Sequence, residues 1–371
     1  MRDLIYISSI PWGYSWHRQQ ETATWLSRYG YRVLFVEPAR YAGPAVSIEP
    51  RSDTLTVLSV RGLRYERCLS SVNRLNARRA TREIERAARS LGMGEDAVVL
   101  FDRVHGVDAD ALMRRHPCAY DLIDEITAFG RWKNERMLLG IERRVFLGAG
   151  AVFTSSHLLG ERKRARYGAR EVLFVPNGVD VSRFAGSGDF GGARRRGEKP
   201  VVGFIGTLSA RSIDMGVVRA LAGCADFETV LIGPADDERT VEQLKGCGAT
   251  VLPAVSGAEV PAVLAGFDVG IIPYTVNSEG MDYVFPRKAC EYLAAGLPVV
   301  STPLPECAVF GDHVSIAGDP GSFVERVRRA LELAGPETRR RQRAFVERFD
   351  NQVLFEQMSD ALKGLSRERG R

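Results

Sequence analysis

Two charged residues, Lys288 and Glu291, lie three positions apart in a stretch that predicts the start of a helix. Residues three apart on a helix are neighbours on its surface, so the ammonium group and the carboxylate are expected at one place. The first turn of a helix also offers backbone N–H groups and the positive end of its dipole to an anion. The carboxylate can accept hydrogen bonds from a sugar diol. A diphosphate joined to a ribose matches this arrangement, and an ordinary helix with a solvated Lys and Glu is the alternative.

The elements around this pair can be predicted from the same stretch. The apolar run Phe267–Ile272 predicts a buried strand, and a loop that contains Asn and Gly follows it. The next segment, Pro286–Ala295, predicts a helix, which Gly296 and Pro298 end. A second strand then begins. The charged pair is therefore expected on a loop-to-helix unit between two strands.

This stretch resembles the nucleotide-sugar glycosyltransferases of the GT-B fold, in particular the large retaining family marked by two glutamates separated by seven residues. The matching residues are Glu291, the small-residue run 294–296 and Pro298 with the two valines after it. The resemblance implies that Glu291 binds the ribose of the donor. The first glutamate of the family would fall at Tyr283, a departure that leaves the donor-sugar contacts and the choice between a retaining and an inverting outcome open.

The resemblance also assigns a donor side to the second half of the chain. The strand Val201–Ile205 is followed by the loop Gly206–Leu208, which in this family brings backbone N–H groups and a basic residue to the donor phosphates. Leu252–Val255 would frame the nucleotide base, and no feature selects one base. The residues expected to bind the donor are Gly206, Thr207, Arg211, Val255, Tyr283, Val284, Lys288 and Glu291.

The first half of the chain predicts the acceptor side. It opens as strand, loop, helix (roughly Trp16–Tyr29) and strand, without the GxGxxG fingerprint of dinucleotide-binding proteins. A further predicted strand, Ala119–Ile123, runs into Asp124, which could take the proton from an attacking hydroxyl, orient that hydroxyl, or only cap a turn. Asp124 is the expected catalytic residue, and Trp132 and Lys133 are expected to line the acceptor pocket. The other expected acceptor-side residues are Trp12, His17, Arg18 and His105.

No metal ion or cofactor is expected. Asp108 and Asp110 spell the DxD motif by which another glycosyltransferase fold binds Mn²⁺, but here the motif opens a predicted helix, where a capping aspartate is ordinary. The six cysteines are scattered without a CxxC pair, which is typical of reduced core residues.

Composition predicts a soluble globular protein, cytoplasmic by default, and the length of 371 residues predicts about two domains. Six arginines crowd the predicted helix 73–91 in a chain of net charge +5. They are interpreted as a solvated face, with a peripheral contact at the inner face of the membrane as the alternative. No motif favours nucleic acid as a partner.

The sequence therefore predicts two Rossmann-like domains that face each other across a cleft, the GT-B fold. The expected divisions are 1–183 for the acceptor-side domain, 184–199 for a Gly- and Arg-rich linker, 200–345 for the donor domain, and 346–371 for a helix returning to the first domain. The expected reaction moves a sugar from a nucleotide-diphosphate donor to a hydroxyl acceptor on a glycan, a lipid-linked sugar or a natural product. A UDP-sugar 2-epimerase of the same fold and a non-catalytic sugar-nucleotide-binding subunit are the alternatives.

Overall fold

The computed structural model describes residues 1–14, 16–66, 68–127, 134–184, 199–276 and 281–368. The chain divides into two compact units. Unit 1 comprises Met1–Pro176 together with Phe355–Arg371, and unit 2 comprises Asn177–Leu354. The first division lies near the expected one at residue 183, but the segment after Pro176 belongs to unit 2. The expected linker lies, except for its ends, outside the described residues.

In the part of the chain that the structure describes, unit 1 is built on eight strands, five whole helices and the larger part of a sixth, α12 (Asn351–Glu368). The strands are β1 (Arg2–Ile7), β2 (Tyr31–Val36), β3 (Val46–Ser52), β4 (Leu55–Val60), β5 (Val98–Phe101), β6 (Cys118–Leu122), β7 (Ala151–Thr154) and β8 (Leu173–Phe174). The helices are α1 (Arg18–Arg28), α2 (Ser70–Ser90), α3 (Ala109–Arg115), α4 (Glu135–Gly148) and α5 (His157–Tyr167).

The sheet of unit 1 has the order β3-β4-β2-β1-β5-β6-β7-β8. All neighbours are parallel except β3 and β4, because a short turn joins these two strands. The central strands are continuous apolar runs, such as Leu4–Ile7 in β1, and are fully buried. Such runs are typical of a parallel sheet covered by helices on both faces. From β1 the chain adds β2 and β4 on one side of the sheet, and from β5 it adds β6 and β7 on the other side. The topological switch point of the sheet therefore lies between β1 and β5, at their carboxyl ends.

Unit 2 repeats the arrangement with six strands and six helices among its described residues. The strands are β9 (Val201–Ile205), β10 (Glu228–Ile232), β11 (Thr250–Leu252), β12 (Val269–Ile272), β13 (Val299–Ser301) and β14 (Val314–Ile316). The helices are α6 (Met215–Ala222), α7 (Glu238–Gly246), α8 (Val260–Ala265), α9 (Arg287–Ala295), α10 (Pro320–Leu333) and α11 (Pro336–Val346).

The sheet of unit 2 has the order β11-β10-β9-β12-β13-β14, and every neighbouring pair is parallel. This is the order of the nucleotide-binding Rossmann sheet, with its switch point between β9 and β12. Side chains from β9, α6 and α10, including Phe204, Leu221 and Phe323, form the core on one face of this sheet. The short loops after β9 and β12 therefore lie beside each other at the carboxyl edge.

The helix expected over 346–371 begins only at Asn351. The structure has α11, a 3-10 turn at Glu347–Phe349, and then α12 (Asn351–Glu368). The break is fixed by Asp350, whose carboxylate accepts hydrogen bonds from the backbone N–H groups of Val181 at 3.0 Å and Gln352 at 2.7 Å. From Phe355 onward α12 packs within unit 1, where the Phe355 ring stacks on Trp25 at 5.8 Å.

Candidate functional site

A pocket of about 390 Å³ lies at the carboxyl edge of the unit 2 sheet, at its switch point. Four short segments line it, namely the loops after β9, β10 and β11 and the segment that leads into α9. The lining residues are Ile205, Gly206, Thr207, Ser212, Gly233, Pro234, Ala254, Val255, Val260, Tyr274, Met281, Val284 and Lys288.

Two glycines bring the loops after β9 and β10 into backbone contact. A Cβ atom on Gly233 would lie 1.8 Å from the carbonyl oxygen of Gly206, and the φ of Gly233 is +151°. Both facts require glycine at position 233, since a side chain there meets backbone and cannot rotate away. The floor of the pocket is thus formed by backbone at close range, which is the surface that a phosphate group needs.

The loop after β9 leaves one amide for a ligand. The backbone N–H of Gly206 donates to the carbonyl oxygen of Ile232 at 2.9 Å, and that of Leu208 donates to the carbonyl oxygen of Pro234 at 2.8 Å. Between them, the N–H of Thr207 donates to no acceptor among the described residues, and Thr207 is exposed. An oriented, unpaired N–H on a rigid loop is a donor for an anionic oxygen.

The cation of the site comes from α9. Lys288 Nζ lies 2.8 Å from Glu291 Oε2, while Arg287 Nε lies 3.6 Å from Glu291 Oε1. The stem of Lys288 also reaches the β9 loop, because its Cε lies 3.4 Å from the position of a Cβ on Gly206. One side chain therefore connects the glycine loop to the carboxylate of Glu291.

Glu291 lies behind Lys288, with its side chain 12% exposed. Its charge reaches the lining residue Tyr274, whose pKa is raised to about 12 by burial and, in second place, by Glu291. The carboxylate is thus at the pocket but not on its surface. The helix start has no side-chain cap, since Pro286 occupies the N-cap position, and this leaves the dipole end open to a ligand.

The structure gathers five of the expected donor residues around one pocket: Gly206, Thr207, Val255, Val284 and Lys288. Glu291 contacts the last of these. Tyr283 lies in a 3-10 turn between the lining residues Met281 and Val284 but does not line the pocket itself. Arg211 lies in an exposed turn outside the lining, and Lys288 is the cation among the described residues that line the pocket. Residues Ser212, Gly233 and Tyr274 were not predicted from the sequence, since none of them stands in a motif.

The carboxyl edge of the unit 1 sheet carries a second group of polar residues. Arg18, in the first turn of α1, forms a bidentate ion pair with Asp121 of β6, with Nε–Oδ2 and Nη2–Oδ1 distances of 3.0 and 2.8 Å. Its Nη1 donates to the carbonyl of Pro176 at 2.9 Å. Both members of the pair are buried. The prediction that Arg18 faces a ligand is corrected, because its guanidinium is held by protein acceptors.

Asp124 lies just beyond β6, where it was predicted. Its side chain reaches solvent and makes no hydrogen bond to a described residue. Protein nevertheless fills most of the space around it, and this desolvation raises its pKa; Arg18 opposes the rise, and Asp121 adds to it. The expected pocket residues Trp132 and Lys133 lie outside the described residues.

The remaining acceptor-side residues are held by the loops after β1 and β5. Trp12 is partly buried, and its backbone N–H donates a hydrogen bond to Glu37 Oε1 at 2.8 Å. His17 is exposed at the start of α1 and stacks on Tyr14 at 5.6 Å. The carbonyl of His105 accepts from Arg103 at 2.6 Å. Side chains and backbone of this edge thus form a network that fixes the loops in place.

Asp102, which directly follows β5, was not selected from the sequence. Its Oδ2 accepts hydrogen bonds from the Ser9 N–H at 2.8 Å and the Ser9 hydroxyl at 2.6 Å. Burial raises the pKa of this carboxyl to about 7, against the hydrogen bonds from Ser9, and Asp121 adds to the rise. Its position at the end of a strand was the only available signal, and the same signal identified Asp124.

The DxD motif has structural roles. Asp108 caps α3 by accepting the N–H of Ala111 at 3.0 Å, and Asp110 pairs with Arg144 at 2.9 Å. The described ranges hold no group of three or more His, Cys, Asp or Glu that could bind a metal ion. Within the same ranges, no helix is both long and apolar enough to span a bilayer.

A comparison with known protein families matches the part of the chain that contains the candidate pocket. Residues 199–333 match the family described as glycosyl transferases group 1. The chain is also 28% identical over 242 residues to a protein of Bacillus subtilis strain 168 named for teichuronic acid biosynthesis, the glycosyltransferase TuaH. That match covers 60% of this chain and 59% of the length of the relative.

Solved structures match over almost the whole chain. Sucrose-phosphate synthase from Thermosynechococcus elongatus has a TM-score of 0.72 at 14% identity and covers 98% of this chain and 99% of its own. Trehalose 6-phosphate synthase from Burkholderia multivorans has a TM-score of 0.69 at 15% identity, with full coverage of both chains (100%). Anabaena HepE, solved with UDP, has a TM-score of 0.69 at 16% identity and covers 98% and 100%. The predicted resemblance is confirmed, and the fold is that of the GT-B glycosyltransferases.

Proposed function

We propose that the protein transfers a sugar from a nucleotide-diphosphate donor to a hydroxyl-bearing acceptor. The observation that carries the proposal is the Lys288–Glu291 pair, 2.8 Å apart at the open start of α9 and beside the glycine loop after β9. The family match covers this whole region and supports the same reading.

The diphosphate binds at the floor of the pocket. Three groups stabilise the negative charge that develops on the leaving group as the sugar departs. They are the N–H of Thr207, the dipole of α9 and the ammonium of Lys288. These groups replace a metal ion, so transfer proceeds without one. The ribose lies on Glu291, which accepts hydrogen bonds from its hydroxyls once the ligand competes for the neighbouring cation. Val255 and Ala254 contact the base, and because HepE was solved with UDP, UDP is the first nucleotide to test.

The acceptor is bound by unit 1, whose carboxyl edge presents carboxylates where the donor pocket presents cations. Asp124 contacts the acceptor hydroxyl. His17, Trp12 and His105 are the acceptor-side residues that the sequence predicts, and they surround the same sheet edge. Because the Bacillus relative is named for teichuronic acid biosynthesis, a glycan is the first class of acceptor to test.

The donor assignment is tested by isothermal calorimetry with UDP, GDP, dTDP and ADP. Glu291→Gln should weaken the binding of the preferred nucleotide about tenfold to a hundredfold, since a hydrogen bond to a charged group contributes roughly 1.5–3 kcal/mol. Glu325→Gln, on the exposed face of α10, is the matched control. Unchanged affinity of the Glu291 variant for all four nucleotides would remove the donor site from this pocket. Adding EDTA should leave nucleotide release unchanged.

The protein works at the inner face of the membrane, in the cytoplasm. Leu63, Tyr65, Leu69 and Leu75, in and before the start of α2, expose between 52% and 70% of their surface. The outward face of α2 carries arginines at 74, 78, 82, 86 and 89. Of these arginines, Arg86 pairs with Glu83 at 2.8 Å. Apolar side chains beside a row of exposed arginines suit an anionic lipid surface.

Vesicle co-sedimentation tests this contact. Binding is expected to phosphatidylglycerol vesicles and not to phosphatidylcholine vesicles, and Arg78→Gln with Arg82→Gln should reduce it. The control exchanges two exposed arginines of unit 2, Arg326→Gln with Arg340→Gln. Equal binding by both double variants would contradict the assignment of this face.

A further inference from the structure

A second pocket, of about 300 Å³, lies wholly within unit 1, between α2, α3 and α4. We call it the α2–α4 pocket; its lining comes from the first half of α2, from residues 107–110 at the start of α3, and from α4. These helices follow β4, β5 and β6, so all three begin at the carboxyl edge of the parallel part of the sheet. Open parallel sheets bind ligands at this edge. The volume is at the lower end of the range for pockets that hold small ligands.

Polar contacts hold the three helices around the pocket. Asn134 Nδ2 donates to the Ser70 hydroxyl at 2.9 Å, which joins the start of α4 to the start of α2. The backbone N–H at the N-cap of α3 donates to the Thr81 hydroxyl of α2 at 2.9 Å. Arg144 Nε of α4 donates to Asp110 Oδ1 of α3 at 2.9 Å. The walls of the pocket are therefore fixed relative to one another, as a preorganised binding site requires.

Side chains of α2 present donors to the pocket that no described residue accepts. Asn73 is only 5% exposed, and its Nδ2 has no hydrogen-bond partner among the described residues. A buried amide donor without an acceptor costs free energy, which a bound oxygen atom recovers. Arg74 and Arg78 are exposed beside it and form no ion pair with a described residue. The start of α2 has no side-chain cap and no acidic residue in its first turn, so its dipole adds to this positive side.

The rest of the lining suits a sugar. Ala77, Val107, Met137 and Ile141 form an apolar side, against which the C–H face of a sugar ring can pack. Asp108 also lines the pocket, where its carboxylate caps α3 and can accept hydrogen bonds from hydroxyl groups. A bare inorganic anion would meet the charge of Asp108 with no hydroxyl to offer it. The pocket thus combines a site for an anionic group with sites for a polyol.

We propose that the α2–α4 pocket binds an anionic saccharide, a sugar that carries a phosphate or a carboxylate group. Arg74, Arg78 and the Asn73 amide bind the anionic group, since guanidinium groups pair with both kinds of oxyanion. The sugar hydroxyls donate to Asp108, and the ring packs on the apolar side. The ligand is an acidic sugar of a glycan or a free sugar phosphate. Its binding requires neither a nucleotide nor turnover, so this proposal is tested separately from the transferase activity.

Isothermal calorimetry on the full chain, without nucleotide, provides the first test. The ligands are glucose 6-phosphate, glucuronic acid and, as the neutral control, glucose. The wild type should bind at least one of the two anionic sugars about tenfold or more tightly than glucose, because only these offer an oxyanion to the arginines. The tighter of the two shows whether the pocket selects a phosphate or a carboxylate. If neither binds more tightly than glucose, the proposal is overturned.

Two variants locate the bound sugar. Asn73→Asp should weaken its binding about tenfold or more, because the new carboxylate repels the anionic group, and Arg74→Gln should do the same through loss of a charge-assisted hydrogen bond. Arg143→Gln, an exposed arginine of α4 outside the lining, is the matched control and should bind as the wild type does. Arg74 also belongs to the arginine face of α2, whereas Asn73 is buried, so Asn73→Asp separates the pocket from that face.

Urea unfolding checks that the variants are folded. Arg74→Gln changes an exposed side chain, so it keeps the test valid should Asn73→Asp not fold. Binding of the anionic sugar that the folded variants retain at the affinity of the wild type would place the ligand elsewhere and overturn the proposal.

Discussion

Asp102→Asn should stabilise unit 1 at alkaline pH and not at acidic pH. The pKa of the carboxyl rises from 3.8 to about 7 on folding, so the folded state holds the proton more tightly than the unfolded state. At roughly 1.4 kcal/mol per pH unit, ionising the folded protein costs up to about 4 kcal/mol. Because Asp102 keeps partial contact with solvent, screening reduces this figure, and we expect about 2 kcal/mol.

The sign follows from where the proton is bound. Below about pH 4 the carboxyl is protonated in both states, and its contribution to stability is constant. As the pH rises toward 7, the unfolded chain ionises freely while the folded one resists, so the wild type loses stability over this window. The Asn variant has no charge to bury and does not lose it. At acidic pH the Asn carbonyl accepts the same hydrogen bonds from Ser9, so the two proteins should agree within about 1 kcal/mol.

Urea unfolding followed by tryptophan fluorescence measures the effect at about pH 4.5 and pH 8. All four tryptophans lie before residue 133, so the signal reports on unit 1. The difference in unfolding free energy between variant and wild type should increase with pH by about 2 kcal/mol. Other titrating groups are common to both proteins and cancel. The reasoning would be refuted if the variant were less stable than the wild type and this deficit were larger at pH 8 than at pH 4.5. Such a result would show that the carboxylate only anchors its loop.

Three further changes test the structure at other places. Gly233→Ala should lower the urea midpoint of unit 2 and abolish nucleotide binding in calorimetry, since its Cβ meets the Gly206 carbonyl, whereas Gly246→Ala, with open space around it, should do neither. Asp108→Ala should destabilise unit 1 by about 1 kcal/mol in the fluorescence assay through loss of the α3 cap, with no change in nucleotide affinity. Lys288→Met should weaken nucleotide binding about tenfold and flatten its dependence on salt, and an unchanged salt dependence would assign the phosphate contact elsewhere.

Local signals predicted many of the elements. The strand Val201–Ile205 is an apolar run, and the structure has that strand with the same bounds. Asp108 was expected to cap a helix, and its carboxylate accepts the N–H of Ala111. The charged pair was predicted at a helix start for a similar reason, because strand, loop and helix follow one another within about thirty residues. The residues expected from the loop after β9 came from the resemblance.

The misses concern partners that are distant in the sequence. Arg18 was expected to face a ligand, but its partner Asp121 lies 103 positions away and no spacing reveals it. Ser9 and Asp102 are 93 positions apart. The break before α12 has the same origin, because the apolar pattern continues through it while Asp350 binds the distant Val181. Sequence patterns place a residue on an element, and only the fold decides which polar group it meets.

The two sheets show how one topology can support opposite chemistry. Each has its switch point at the carboxyl edge of its first strand, yet the residue types differ there. In unit 2, glycines bring backbone amides close together and Lys288 adds positive charge, which suits a leaving diphosphate. In unit 1, the cation Arg18 is paired with Asp121, and the carboxylates of Asp102 and Asp124 lie at the carboxyl edge of the sheet. Poor hydration raises the pKa of both carboxyls, and keeping them ionised there lowers the stability of the folded state.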